Sequence, residues 1–277
     1  MSGSTQADVY NQFIDKVPDT RFTFMNHGYY SDEASLDWLD KEDLDQKYSM
    51  NLIHFMLGKL DLKDKAILDV GCGRGGNCSY LARYTNAKKI VGLDFCAESI
   101  EFCKRTHQYD RVSFQQGDAQ SLPFDDESFD FVINIESSHC YPDINRFYQE
   151  AGRVLKKSGT FCYADVIFSP ALQNKYQLPN GFFEYAGLTF KKRDEKHEEM
   201  LQNCGFNITD STDITDKVIK SLECEKGNFQ NFLKDMADQN REGNVEFIDS
   251  MFDVVNGAVL DAYKSRETIY MFWRLEK

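Results

Sequence analysis

The sequence predicts an α/β fold, a sheet of mostly parallel strands with helices on both faces, and three observations carry that expectation. Short apolar runs alternate with amphipathic stretches from about Lys65 to Phe168, the pattern of strand-helix-strand units. A glycine-rich turn, Gly71 to Gly76, joins the first of these runs to the first helix. Acidic residues then stand at or just beyond the ends of successive strands, as Asp94 and Asp118.

The elements follow in order. Strands are expected over Ala66 to Val70, Lys89 to Leu93, Val112 to Gln116, Phe129 to Ile135 and Thr160 to Ile167, with helices near Asn77 to Arg83, Ala97 to Thr106 and Ile144 to Leu155. The third helix runs into Lys156-Lys157-Ser158-Gly159, with cations beside its last turn and a glycine stop. Ahead of the core, residues 1–62 read as a mostly helical cap, in which Ile53, Met56, Leu57 and Leu60 keep helical spacing. Behind it, a helix from Asp194 to Cys204 ends at Gly205, a strand follows near Asn207 to Thr212, and Thr268 to Leu275 is the last strand. Helical insertions fill 169–193 and 215–263. With no repeat, low-complexity tract or linker, residues 1–277 read as one domain whose cofactor-binding core spans 63–168.

Composition limits the partners. With 45 acidic against 32 basic residues the chain carries a formal charge of −13, which repels phosphate backbones and anionic membranes. Nucleic acid is therefore not an expected partner, and no apolar run approaches the ~20 residues needed to span a bilayer. The eight cysteines show no CxxC pair or neighbouring histidine cluster, so no metal site is assigned to them and they read as small apolar filler in a reduced, cytoplasmic chain, while Glu136, His139 and Asp165 leave a Mg²⁺ undecided. A homodimer is compatible with these features.

Ile67-Leu-Asp-Val-Gly-Cys-Gly-Arg-Gly-Gly76 is the strongest signal. Asp69 precedes the turn, which suits a cationic ligand such as a sulfonium amino acid better than a diphosphate. Asp94 sits about 20 residues beyond the glycines, where a carboxylate accepts from a ribose diol. Gly117-Asp118-Ala119 then offers a carboxylate to an adenine amino group.

These motifs, ILDVGCGRGG, VGLDF, GDAQSLPF, FDFVINIESSHCYPD and RVLKKSGTFCYADVIF, stand in order over Ile67 to Phe168 and resemble the class I S-adenosylmethionine-dependent methyltransferases. The resemblance implies a Rossmann-like, doubly wound, seven-stranded sheet whose last strand is antiparallel, and S-adenosyl-L-methionine as cofactor, released as S-adenosylhomocysteine. It implies that Asp69, Gly71, Cys72, Gly73 and Asn77 line the methionine end of the cofactor, backed by Asn134, Ile135 and Glu136. It further implies that Asp94 takes the ribose, that Phe95 and Ser99 lie near the adenosine, and that Gly117, Asp118 and Ala119 bind the adenine edge.

Methyl transfer to a hydroxyl needs its proton removed, and a general base within reach contributes ~10²–10⁴-fold. His139 follows the fourth strand and Asp165 lies toward the end of the fifth. In a doubly wound sheet these strands are neighbours and ligands sit beyond their C-terminal ends, so the pair is expected to meet, with Asp165 orienting the imidazole. The segment Glu136 to Asp143 with Asp165, and the early Phe22 to Tyr30, resemble natural-product and sugar O-methyltransferases of the rebeccamycin sugar and phthiotriol methyltransferase kind. The former use a His/Asp base. Tyr29 and Tyr30 can either close over the sulfonium or pack in the core. The segment Asp19 to Tyr30 is expected to order mainly on cofactor binding.

His27, His54, His107 and His197 show no partnered arrangement in the sequence. Tyr176, Leu178, Phe182, Phe183 and Tyr185 read as a lid for a bulky hydrophobic acceptor such as a polyketide or lipid. The expected reaction is O-methylation of a small secondary metabolite. C- or N-methylation on the same fold, a cofactor-binding scaffold without catalysis, and a nicotinamide-dependent oxidoreductase are the rivals.

Overall fold

The computed structural model describes residues 22–32, 35–168, 197–225, 257 and 259–277. Seven strands form a single sheet: β1 (Ala66–Val70), β2 (Lys89–Asp94), β3 (Val112–Gln116), β4 (Phe129–Ile135), β5 (Leu155–Phe168), β6 (Asn207–Asp213) and β7 (Thr268–Glu276). Their order is β3-β2-β1-β4-β5-β7-β6, parallel throughout except that β7 runs antiparallel to both β5 and β6. The helices are α1 (Lys47–Leu57), α2 (Gly76–Tyr84), α3 (Ala97–Thr106), α4 (Ile144–Val154), α5 (His197–Asn203), α6 (215–225) and α7 (Leu260–Lys264).

The two-residue period of the strands divides the core into two layers. Ile67, Ile133, Cys162, Ala164 and Phe272 belong to one buried cluster, with Met50 and Ile53 of α1 and Cys78 and Leu81 of α2. Leu68, Val132, Phe161, Tyr163 and Trp273 belong to the other, closed by Phe147, Ala151 and Val154 of α4 and Leu201 of α5. The α4 residues recur at i, i+4 and i+7, so one stripe of the helix is apolar, and the Asp143 side chain caps its start by accepting from Arg146 N at 3.1 Å.

Two sequence expectations need correction. Helix α4 stops at Val154, and β5 begins at Leu155 instead of Thr160, pairing with Phe129 before a register shift brings Thr160 opposite Phe131. The left-handed residue in that irregularity is Ser158 (φ 61), not Gly159, and Lys156 leaves the helix end to pair with Asp130 at 2.8 Å. The described residues before α1 are not mostly helical either, the 3₁₀ turn Lys41–Gln46 being their main helical stretch. Phe22 to Ser31 form an irregular strap over α1 and the glycine turn. Side chains satisfy its backbone: Thr23 N donates to Gln46 Oε1 (2.9 Å), Gly28 N to Asn26 Oδ1 (2.9 Å), and His27 N to Glu136 Oε1 (2.6 Å). A helix would have spent those amides internally. The strap is also packed, with Phe24 buried and Tyr29 stacked 4.2 Å from Phe55.

The lid residues of 169–193 and most of the 215–263 insertion lie outside the described residues, as do residues 1–21 and the first turn expected for the helix before β6.

Candidate active site

The chain order reverses between β1 and β4, and at such a switch point the loops beyond the carboxyl ends of the strands part to leave a crevice. The loop after β1 is built for close approach. Gly71, Gly73 and Gly75 all have positive φ (72°, 51° and 78°), and the amides of Gly71 and Cys72 both donate to Leu93 O. The reasons for the glycines differ. A Cβ on Gly71 would sit 2.2 Å from Ser137 Oγ and 2.8 Å from Tyr141 OH, so the protein itself fills that space. A Cβ on Gly73 would meet only Met25 Sδ, at 3.5 Å, which leaves room beside it.

Asp94 ends β2 and anchors the turn. It accepts from Gly73 N (2.8 Å), Cys96 N (2.9 Å) and the Phe95 amide. A carboxylate offers about four lone-pair sites, so room for one further donor remains, less than a two-hydroxyl clasp requires. Burial raises the Asp94 carboxyl above its usual range, against the pull of those amides. Phe95 is 63% exposed, an unusual position for so large an apolar ring and one suited to stacking on a planar base. Gly117 is tied to β2 through its amide on Asp94 O (2.9 Å). Asp118 Oδ1 is engaged within its own loop by Gln120, and Ala119 is buried. Ser99 is buried on α3, where it partners Cys96.

Asp69 is fully buried beneath the turn and faces α2, 3.5 Å from Asn77 Nδ2 and 3.6 Å from Cys78 Sγ. Burial pushes its carboxyl up to about 7, so a cation placed nearby would restore its charge. Cys72 is buried packing: its hydrogen bond with Cys103, then burial, hold the thiol well above its ordinary range. None of the eight cysteines forms a disulfide. Two buried oxygens near the crevice, Asn77 Oδ1 and Asn134 Oδ1, lack hydrogen-bond partners, as acceptors awaiting a ligand donor would. An adenosyl amino acid fits these features: an open glycine turn, a partly filled ribose carboxylate, an exposed aromatic ring and orphaned acceptors.

His139 lies in the short turn Ser138–Cys140 after β4, and its Nδ1 is 2.7 Å from Asp165 Oδ1. Asp165 is fully buried on β5 and accepts from four donors: His139 Nδ1, His139 N (3.1 Å), Ser138 Oγ (2.5 Å) and Val166 N (2.7 Å). With these donors directed at it, the Asp165 carboxylate acts as an acceptor, so the ring proton sits on Nδ1 and Nε2 carries the lone pair of neutral His139. Burial opposes the imidazolium, but Cys140 and Asp165 outweigh it and hold His139 well above its ordinary range.

Glu136, itself left-handed at φ 47, is a structural knot. Its Oε1 accepts from His27 N and from Tyr270 OH (2.8 Å). Burial, then the charge of Glu136, raises the phenols of Tyr263 and Tyr270, and Asp165 adds to both, so these groups share one acidic neighbourhood. Replacing Glu136 with Ala strands two donors, each costing about 1–3 kcal/mol if left unsatisfied. The urea midpoint is expected to fall with its slope unchanged, and amide exchange should quicken over 22–30. A midpoint equal to wild type would show that the knot holds nothing.

The histidines read as unpartnered are all engaged. His27 Nδ1 meets Tyr263 OH (2.9 Å), His54 Nδ1 meets Tyr80 OH (2.9 Å), His107 Nε2 meets Arg74 O (2.8 Å), and His197 Nε2 meets Tyr148 OH (2.8 Å). Each partner is distant in sequence, beyond the reach of spacing. Ser137, Ser138, Tyr141, Tyr263 and Tyr270 escaped sequence reasoning for the same reason. Tyr30 spends its ring face on Lys220, whose Nζ lies 4.0 Å from the centroid, and Tyr29 packs on Phe55. Among the described residues no three His, Cys, Asp or Glu side chains gather as metal ligands, and no helix is long and apolar enough to cross a membrane.

Sheet order and crevice define a Rossmann-like nucleoside-binding domain of the methyltransferase type. A family profile described as a methyltransferase domain matches residues 61–215, and the chain belongs to that family. Among its relatives, the fatty-acid O-methyltransferase of Mycolicibacterium smegmatis is 41% identical over 216 residues, 77% of either chain. The phthiotriol/phenolphthiotriol dimycocerosates methyltransferase of Mycobacterium tuberculosis is 36% identical over 196 residues, 70% of either chain. The geranyl diphosphate C-methyltransferase of Streptomyces coelicolor, solved with S-adenosyl-L-homocysteine, superposes with a TM-score of 0.71 at 16% identity. The match covers 100% of this chain and 99% of that one, a likeness of fold. The protein is an S-adenosylmethionine-dependent methyltransferase.

Proposed function

We propose that this enzyme methylates a hydroxyl of a hydrophobic, lipid-type small molecule, with His139 as general base and Asp165 as its orienting partner. One observation carries the reading: the 2.7 Å contact from Nδ1 to a buried, four-donor carboxylate, which leaves Nε2 as the atom able to take a proton. When bound, S-adenosylmethionine supplies an electrophilic methyl group on a sulfonium. The chain's residues do the rest. Asp94 orders the ribose and the glycine turn, Phe95 covers the base, and His139 Nε2 accepts the acceptor's proton while Asp165 stabilises the imidazolium. The lipid class is supported by the names of the relatives, a fatty-acid O-methyltransferase and phthiotriol methyltransferases. The acidic and phenolic surroundings, Asp165, Glu136, Tyr263 and Tyr270, favour a neutral acceptor. The acidic balance supports a small-molecule partner over nucleic acid, and eight cysteines without a disulfide support a cytoplasmic location.

A second reading has its own observation. His139 is held well above its ordinary range, and an imidazolium would pair with the carboxylate of a fatty acid, which needs no base. The two readings differ in the sign of their pH dependence. A hydroxyl acceptor requires neutral His139, so kcat/KM should climb as pH rises through its raised pKa. A carboxylate acceptor requires the imidazolium, so kcat/KM should fall over the same window. Labelled methyl transfer to fatty alcohols, phenolic lipids and fatty acids, with product masses, is the test. Activity confined to fatty acids with a falling profile would overturn the hydroxyl assignment.

A further inference from the structure

Ser138 gives its single hydroxyl proton to Asp165 Oδ2 at 2.5 Å, because an ionised carboxylate only accepts. That fixes the protons beyond it. The contact from Ser138 Oγ to Tyr163 OH (2.7 Å) must be donated by Tyr163, whose one proton is then spent. Tyr148 OH donates to Tyr163 OH at 3.3 Å, which spends its own proton. The 2.8 Å contact between Tyr148 OH and His197 Nε2 must therefore be donated by His197. Every member is buried: Ser138, Tyr163 and Tyr148 at 1% exposure or less and His197 at 6%.

We infer that His197, Tyr148 and Tyr163 form a one-way donor chain that feeds through Ser138 into Asp165 and sets how readily His139 takes up a proton. This rests on the reading of His139 and Asp165 as the working pair. Each hydrogen bond into Asp165 spreads its negative charge and weakens its hold on an imidazolium, and aligned donors polarise one another. Tyr163, Tyr148 and His197 are positioning residues: they act through Asp165 across the α4 and α5 layer. The ring stacking serves this geometry. Tyr163 lies 5.1 Å from Trp273 at an interplanar angle of 15°, and His197 lies 5.6 Å from Tyr163, so removing a hydroxyl leaves the ring packing in place. Other groups also bear on the pair. Cys140 acts on His139 from its own turn, Tyr263 of α7 and Tyr270 of β7 feel the Asp165 charge, and Glu136 lies beside both phenols. None of these belongs to the donor chain, so their influence stays constant in the variants below.

The test is a proton–carbon NMR titration of the histidine rings in the full chain saturated with S-adenosylhomocysteine, with His139→Gln identifying the His139 signal. Ser138→Ala is expected to raise the His139 midpoint by about one pH unit, from the loss of one bond to a charged acceptor. Tyr163→Phe should raise it less, and Tyr148→Phe least, because the effect fades with each step. Thermal melts of the same variants separate this from a merely structural role. A lowered melting temperature with an unmoved His139 midpoint in both Tyr→Phe variants would overturn the inference. Should Ser138→Ala not fold, the two Tyr→Phe variants still decide. Failure of the base assignment is read elsewhere, as undiminished methyl transfer by His139→Ala, and leaves the NMR result free to stand or fall alone.

Discussion

His139→Ala is expected to lower turnover by ~10²-fold or more while the affinity for S-adenosylhomocysteine stays close to wild type. The imidazole removes the acceptor's proton in the transition state, so kcat should carry the loss. Asp165→Asn should cost a similar or smaller factor. Its amide nitrogen cannot accept, so the four donors now directed at the carboxylate would compete for one oxygen, and the ring would lose its preferred tautomer. The double variant should be scarcely slower than either single one, since the pair acts as a unit. The ascending limb of the pH–rate profile should vanish in His139→Ala. Turnover within a few-fold of wild type, with the same profile, would sink the base and revive C- or N-methylation.

Asp94→Ala is expected to weaken S-adenosylhomocysteine binding by roughly 10- to 100-fold, the range given by losing a hydrogen bond to a charged group. Two effects combine. The variant loses the site left for a ribose hydroxyl, and it frees the amides of Gly73 and Cys96, which hold the turn against β2. The melting temperature without ligand should therefore fall as well, and the ligand-induced rise should shrink. Calorimetric titration of the folded variant separates the two effects. Wild-type affinity in that titration would show that the ribose is held elsewhere.

The strands of the core were legible because burial on both faces of a parallel sheet writes mostly apolar runs into the sequence, as in Ile67 to Val70 and Phe131 to Ile135, each broken by one polar residue. The cradle was legible because its parts sit at fixed offsets from those strand ends. The N-terminal strap was misread as helical because its apolar residues suggest a packed element without saying which. Its backbone bonds go to Gln46, Ser49 and Glu136, up to 109 residues away. The early start of β5 was missed because the left-handed position fell on Ser158, a residue that seldom announces one, instead of the adjacent glycine.

The sequence by itself determined the α/β class, the strand sequence, the glycine turn with Asp94, and the nomination of His139 and Asp165 as residues at adjacent strand ends. These are local facts: periodicity, glycine where backbone approach is close, an acid at a strand tip. Tertiary structure alone decided which donors surround Asp165, which protons they give, and that His27, Tyr263 and Tyr270 converge on Glu136 from opposite ends of the chain. It also decided that Gly71 is a glycine because Ser137 and Tyr141 press against it. The reason is that hydrogen bonds and van der Waals contacts act over a few ångströms of space. Only folding brings Ser138 beside Tyr163, and only burial makes each proton between them countable.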